Sequence, residues 1–181
     1  MTTIFFATDV HGSDICWKKF ISAGKFYKAE VLVLGGDMTG KAIVPIIHQG
    51  GETWKAVLLQ QDFMLHGQAE VDDMAQKITS RGYYPYRTTP DEIAELGAHP
   101  DRIDKIFASE VLKRAGQWLA YADEKLAGTG IRCYVSPGND DMFELDDIIR
   151  SSKHVHLAEG EVIELDEYHE MVSSGWSNPT P

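Results

Sequence analysis

No stretch of the 181-residue chain approaches the run of about eighteen apolar residues that a membrane-crossing helix needs. The opening Met1-Thr2-Thr3 has no basic segment of the kind that begins a secretory leader. The expected location is the cytoplasm, with no membrane partner. Cysteine is scarce: Cys16 and Cys133 are the two present, they form no CxxC pair, and they suit a reducing compartment. Small apolar packing is the expectation for both. A basic face is missing too. Lys and Arg number 17 against 28 Asp and Glu, a net charge of -11, and no Lys/Arg cluster stands out, which argues against gripping a nucleic-acid duplex. An acidic chain can still take an anionic substrate, because bound metal ions reverse the local field.

What is present is a folded composition, 43% hydrophobic and 25% charged, of one-domain length. Residues 3–8 and 31–36 are short, β-branched and aromatic runs that read as buried strands. Between them Ser13 can cap a helix reaching about Ala23, with Cys16, Phe20 and Ala23 on one face, so this stretch is a strand, a helix and a parallel strand. A third run, 131–136, arrives only after an insertion over 41–128. Within it, 42–48 and 53–59 read as hairpin strands with a further short run at 63–65. Val71, Met74, Ala75 and Ile78 recur at helical spacing, and Thr89-Pro90-Asp91-Glu92 has the form of a capping box opening a helix that Gly97 ends. The longest helix spans 100–127, with Ile103, Ile106, Phe107, Val111, Ala115, Trp118, Ala122 and Leu126 as its buried stripe. After a brief helix at 144–150, the runs 154–157, 161–165 and 168–173 read as strands of a second, antiparallel set. Trp17, Trp54, Trp118 and Trp176 read as packing, and 175–181 as a loop leading onward.

The chemistry gathers where the three apolar runs stop. The first gives way to Asp9-Val10-His11-Gly12, the second to Asp37, and the third to Pro137-Gly138-Asn139-Asp140-Asp141. In open α/β sheets the C-terminal strand tips are where ligands bind. Hydrolysis of a phosphate ester without a covalent intermediate needs cations to neutralise the phosphoryl oxygens and to generate hydroxide at neutral pH, which two metals about 3.5 to 4 Å apart supply. Imidazole, carboxylate and amide together suit two divalent transition ions, Mn, Fe, Zn or Co, better than Ca. Asp9 and His11 could ligate one ion, Asp37 could bridge two, and Asn139 could serve the second.

In order and context, Asp9-x-His11-Gly12, Gly35-Gly36-Asp37 and Gly138-Asn139-Asp140-Asp141 resemble the first three motif blocks of the calcineurin-like metallophosphoesterases. The resemblance implies an α/β fold, specifically an α/β/β/α sandwich, here incomplete and carrying the helical and hairpin insertion. It also implies a dinuclear metal site and hydrolysis of small phosphate esters, phosphodiesters or activated phosphomonoesters, by a metal-bound hydroxide. By the same resemblance Asp9 and His11 hold the first metal, Asp37 bridges, and Asn139 holds the second and touches the phosphate. Two departures stand out. Asp140 occupies the place of the family's catalytic His, and the later Gly-His and Gly-His-x-His blocks have no match up to residue 181. The resemblance therefore implies the N-terminal part of a longer enzyme, a single domain over 1–181 truncated at its C-terminus.

Three rivals are weighed. Residues 35–41 fit the first seven places of a phosphate-binding P-loop, but Ala42 lacks the hydroxyl of the eighth and a strand follows. His154-Val155-His156 is a substitute for the missing His-x-His, although solvent-facing positions on the first strand of the second sheet are the plainer reading. A non-catalytic binding protein on the same fold is the third. Tyr83, Tyr84 and Tyr86 could form a substrate wall beside the site.

Overall fold

A strand buried on both faces must be apolar along its whole length, and Val31, Leu32, Val33 and Leu34 are all buried. In the computed structural model, which describes residues 1–175, this run is the second strand of a parallel sheet. Trp176 and the closing loop lie outside the described residues. In chain order the first elements are β1 (Ile4–Ala7), α1 (Asp14–Tyr27), β2 (Val31–Gly35), β3 (Ile43–Gly50), β4 (Thr53–Leu58) and β5 (Gln61–His66). Then come α2 (Gly67–Ser80), β6 (Tyr84–Thr88), α3 (Pro90–Ala98), α4 (Pro100–Leu126) and β7 (Arg132–Ser136). The chain continues through α5 (Leu145–Arg150), β8 (Val155–Leu157), β9 (Val162–Asp166) and β10 (His169–Val172).

The protein is thus of mixed α/β class, built from a parallel sheet in the order β1-β2-β7-β8, a mixed sheet in the order β5-β4-β3-β6, and the antiparallel pair β9-β10. Helices α1, α4 and α5 share a core with one face of the parallel sheet. Trp17, Phe20, Leu32, Leu34, Trp118, Leu119, Cys133 and Ile149 lie within it. Trp17 stacks on Trp118 with centroids 5.1 Å apart and donates its indole N–H to the Trp118 carbonyl at 3.0 Å, which stitches α1 to α4. On the opposite face Leu165, Ile163 and Met171 of the β9-β10 pair pack against Val31, Val33 and Tyr134.

The segment between β2 and β7 makes its own small core, in which Val71, Met74 and Ile78 of α2 cover Val44, Ile46, Ala56, Leu58 and Leu65. The expected hairpin strands, α2, and the Thr89-capped α3 are all present, the Thr89 hydroxyl accepting the Glu92 N–H at 3.3 Å. Among the described residues no helix is long and apolar enough to cross a membrane.

Several sequence expectations give way. Helix α1 runs to Tyr27, and Cys16 is exposed while Trp17 is fully buried, because the face that meets α4 lies one residue further round than the Cys16 stripe. Strand β6 was not expected, since Pro85 interrupts its pattern; it pairs in parallel with β3. Strand β8 does not open the second sheet. It joins β7 in parallel, so the antiparallel set has two strands, and His154 precedes the strand that carries His156. The His156 ring lies 5.9 Å from that of Tyr134, and neither imidazole belongs to the group of Asp9, His11 and Asp37. The first turns of α4 also depart from the stripe, with Ile103 exposed.

Candidate metal centre

Parallel register brings the strand ends level. Ala7 pairs with Leu34 and Gly35 with Ser136, so the residues that follow β1, β2 and β7 emerge side by side. Beyond the sheet the first two loops stay paired. The Asp9 N–H donates to the Gly36 carbonyl at 3.2 Å, His11 N–H to Asp37 at 3.0 Å, and Gly12 N–H to Met38 at 3.0 Å.

Three side chains converge there. Asp9, His11 and Asp37 each place a ligand atom within 4.8 Å of the others. His11 Nε2 lies 3.5 Å from Asp9 Oδ1 and 3.8 Å from Asp37 Oδ2. Ligands about 2.0 to 2.2 Å from one transition ion stand roughly 3.0 to 3.5 Å apart, so these separations fit a shared ion after a small contraction. The other ring nitrogen, His11 Nδ1, is buried with no hydrogen-bond partner among the described residues; an ion held at Nε2 would not satisfy it, whereas a bound water would.

All three residues have left-handed backbone, with φ of 57° at Asp9, 42° at His11 and 43° at Asp37. Asp and His tolerate that region better than most residues, yet it costs on the order of 1 kcal/mol or more at each. Lys28, Leu59 and Gln60 share the left-handed region at element ends elsewhere, so it is the convergence of the three side chains, with their backbone conformation, that marks this place.

The third tip abuts the second. A Cβ on Gly138 would stand 2.2 Å from Asp37 Oδ1 and 2.3 Å from Asp37 N, so only glycine lets the turn carrying Asn139 lie against Asp37. Asp141 locks this contact. Its carboxylate accepts the N–H groups of Met38, Thr39 and Gly138, each at 2.8 Å, and the Thr39 hydroxyl at 2.5 Å. Asp141 is thus a tie between two loops, not a spare acid. Asp140 instead forms an ion pair with Lys41 and accepts from the Asn139 amide at 3.3 Å.

The field at the site is negative. Burial holds the Asp37 carboxyl above its ordinary pKa of 3.8, Asp140 adds to the rise, His11 opposes it, and Asp141 and Asp9 raise it further. A cation among these groups would relieve the repulsion.

The tyrosines expected as a substrate wall are committed to the framework. Tyr84 is buried and its hydroxyl accepts the Gly40 N–H at 2.9 Å, while Tyr86 donates to Glu92 at 2.7 Å. The segment after Lys41 leads into strand β3 rather than a helix, so it lacks the helix N-terminus on which a P-loop places phosphate. Sequence reasoning missed Lys41 as the partner of Asp140 and Asp141 as the loop tie. Both join residues about a hundred positions apart, and no local pattern marks them. Compared with protein-family models, curated proteins and solved structures, the chain matches none.

Proposed function

We propose that the protein is a metal-dependent phosphoric ester hydrolase on a calcineurin-like sandwich, acting on phosphodiesters or on phosphomonoesters with acidic leaving groups. The observation that carries this reading is the convergence of Asp9, His11 and Asp37, each held in left-handed backbone at a strand tip. The parallel sheet with helices on one face and the β9-β10 pair on the other supports the fold part of the proposal.

The donor set fits divalent transition ions, Mn, Fe, Zn or Co. Asp9 and His11 would hold one, Asp37, with two carboxylate oxygens, would serve both, and the Asn139 amide would serve the second. When bound, such ions supply charge neutralisation at the phosphoryl group and an activated water. The protein's own groups do the rest. Asn139 orients a phosphoryl oxygen. Asp140 is engaged by the Lys41 ammonium rather than free to give a proton to the departing oxygen. A substrate whose leaving group departs without that proton is the one this site favours.

Elemental analysis of purified wild type, Asp37→Ala and Asn139→Ala tests the proposal. Asp37→Ala should lose more metal than Asn139→Ala, because only the carboxylate can serve two ions. Turnover of bis-p-nitrophenyl phosphate by the Mn²⁺-loaded wild type should accompany metal uptake. Unchanged metal content in Asp37→Ala would falsify the bridging role, and metal uptake with no turnover of any nitrophenyl ester would return the non-catalytic reading.

A further inference from the structure

Metal sites depend on the groups that aim their ligands as well as on the ligands themselves. The backbone of His11 has an unusual neighbour. Gly12, Gly40 and Gly82 come from three separate parts of the chain and meet backbone to backbone. A Cβ on Gly82 would stand 1.9 Å from the His11 carbonyl oxygen and 3.1 Å from its carbon. One on Gly40 would stand 1.9 Å from the Gly82 oxygen, and one on Gly12 2.6 Å from Gly40 N and 2.7 Å from the Gly82 oxygen. No side chain fits at any of the three.

We propose that the segment between β2 and β7 is a positioning element of the site, in which Gly82, just past α2, clamps the His11 backbone and thereby aims its imidazole. This rests on the metal reading given above. Gly82 cannot drift away from His11, because the end of α2 holds it: its N–H donates to the Thr79 carbonyl at 3.1 Å, and the Tyr83 N–H donates to Ile78 at 3.2 Å. Helix α2 is in turn fixed by the burial of Val71, Met74 and Ile78. A second strut lies alongside, where Ser13 Oγ donates to the Ser80 carbonyl at 2.9 Å. Gly40 is held through its N–H to the buried Tyr84 hydroxyl, and the Tyr84 ring meets Phe107 of α4 edge-on at 5.7 Å. From the other side, the Asp37 carbonyl accepts the His11 N–H at 3.0 Å. His11 is thus gripped between a metal-site loop and the end of α2, and the left-handed φ of 42° is the conformation the grip imposes.

The test substitutes Gly82→Ala and, as a control, Gly51→Ala, a left-handed glycine at φ 57° with nothing within 4 Å of an added Cβ. Mn²⁺ affinity is measured by calorimetry and the His11 amide by NMR without metal. Gly82→Ala should weaken the tightest Mn²⁺ site by roughly 10-fold to 100-fold and shift the His11 amide, whereas Gly51→Ala should change neither. A folded Gly82→Ala protein with wild-type Mn²⁺ affinity and an unmoved His11 amide overturns the proposal. If wild type takes up no Mn²⁺, the metal reading fails, and the His11 amide still decides the clamp. Should Gly82→Ala not fold, hydrogen exchange on wild type replaces it. The His11 and Gly82 amides should open with the same urea dependence, and His11 opening independently of Gly82 would overturn the clamp.

Discussion

Where the resembled family carries an imidazole, this chain carries Asp140, and Lys41 reaches across from the neighbouring loop to pair with it. The pairing sets two expectations. A carboxyl group tied to Lys41 is not free to protonate an alkoxide, so rates should fall steeply as the leaving-group pKa rises, and Asp140→His should flatten that dependence. Identical slopes in wild type, Asp140→Asn and Asp140→His would end this account. The second concerns charge. With Lys41 removed, Asp140 would face the substrate uncompensated, and it would oppose a monoester dianion more than a diester monoanion. Lys41→Met should therefore raise KM for monoesters on the order of tenfold more than for diesters. Equal changes in both KM values would show that the pair does not face the substrate. The meeting of Asp9, His11 and Asp37 was legible in the sequence because a polar residue at the end of an apolar run is a local signal. Lys41 and Asp141 were not, since their partners lie 99 and up to 103 residues away.

Among the elements, the helices and the strands of continuous apolar character were read correctly because their period or their length is written locally. What a strand pairs with is not. The run 155–157 was legible as a strand, yet its place beside β7 is set partly by Asp123, a residue on the polar face of α4 that carries no motif. Its carboxylate accepts the Ser152 hydroxyl at 2.7 Å, the Lys153 N–H at 3.0 Å and the His154 N–H at 2.9 Å, fixing the turn that enters β8. Burial acts to raise the Asp123 pKa, but the hydrogen bonds from Ser152, Lys153 and His154 outweigh it and hold the group below its ordinary 3.8. For a depressed carboxylate the stabilisation is present above the unfolded value and is lost as pH falls through the folded one. Asp123→Ala should cost about 2 kcal/mol at neutral pH. The deficit relative to wild type should shrink below pH 3.8, the ordinary value. Urea unfolding at both pH values measures it, and a deficit that stays constant would show that packing rather than charge fixes the turn.

Across the whole molecule the residues divide into two principal cores of unequal size. The larger lies between the parallel sheet and α1, α4 and α5, and the smaller between α2 and the mixed sheet. The α/β class was legible because the apolar runs alternate with helical periods, but the division was not, since the buried residues of both cores are the same aliphatic types. Tyr84 bridges them: it stands on β6 of the mixed sheet, yet its ring is buried with the larger core. Because a smaller core offers less buried apolar surface to oppose chain entropy, the mixed sheet should open at a lower free energy than the parallel one. Native-state hydrogen exchange should therefore group the amides of β3, β4, β5 and α2 into one cooperative unit that opens before β2 and β7. Tyr84→Phe keeps the ring but removes the hydroxyl that accepts the Gly40 N–H. It should lower the opening free energy of that unit by about 1 to 2 kcal/mol while leaving β2 and β7 nearly unchanged. Equal loss of protection in both sheets would show that the two cores unfold as one, and that the junction of Gly12, Gly40 and Gly82 couples them too tightly to open separately.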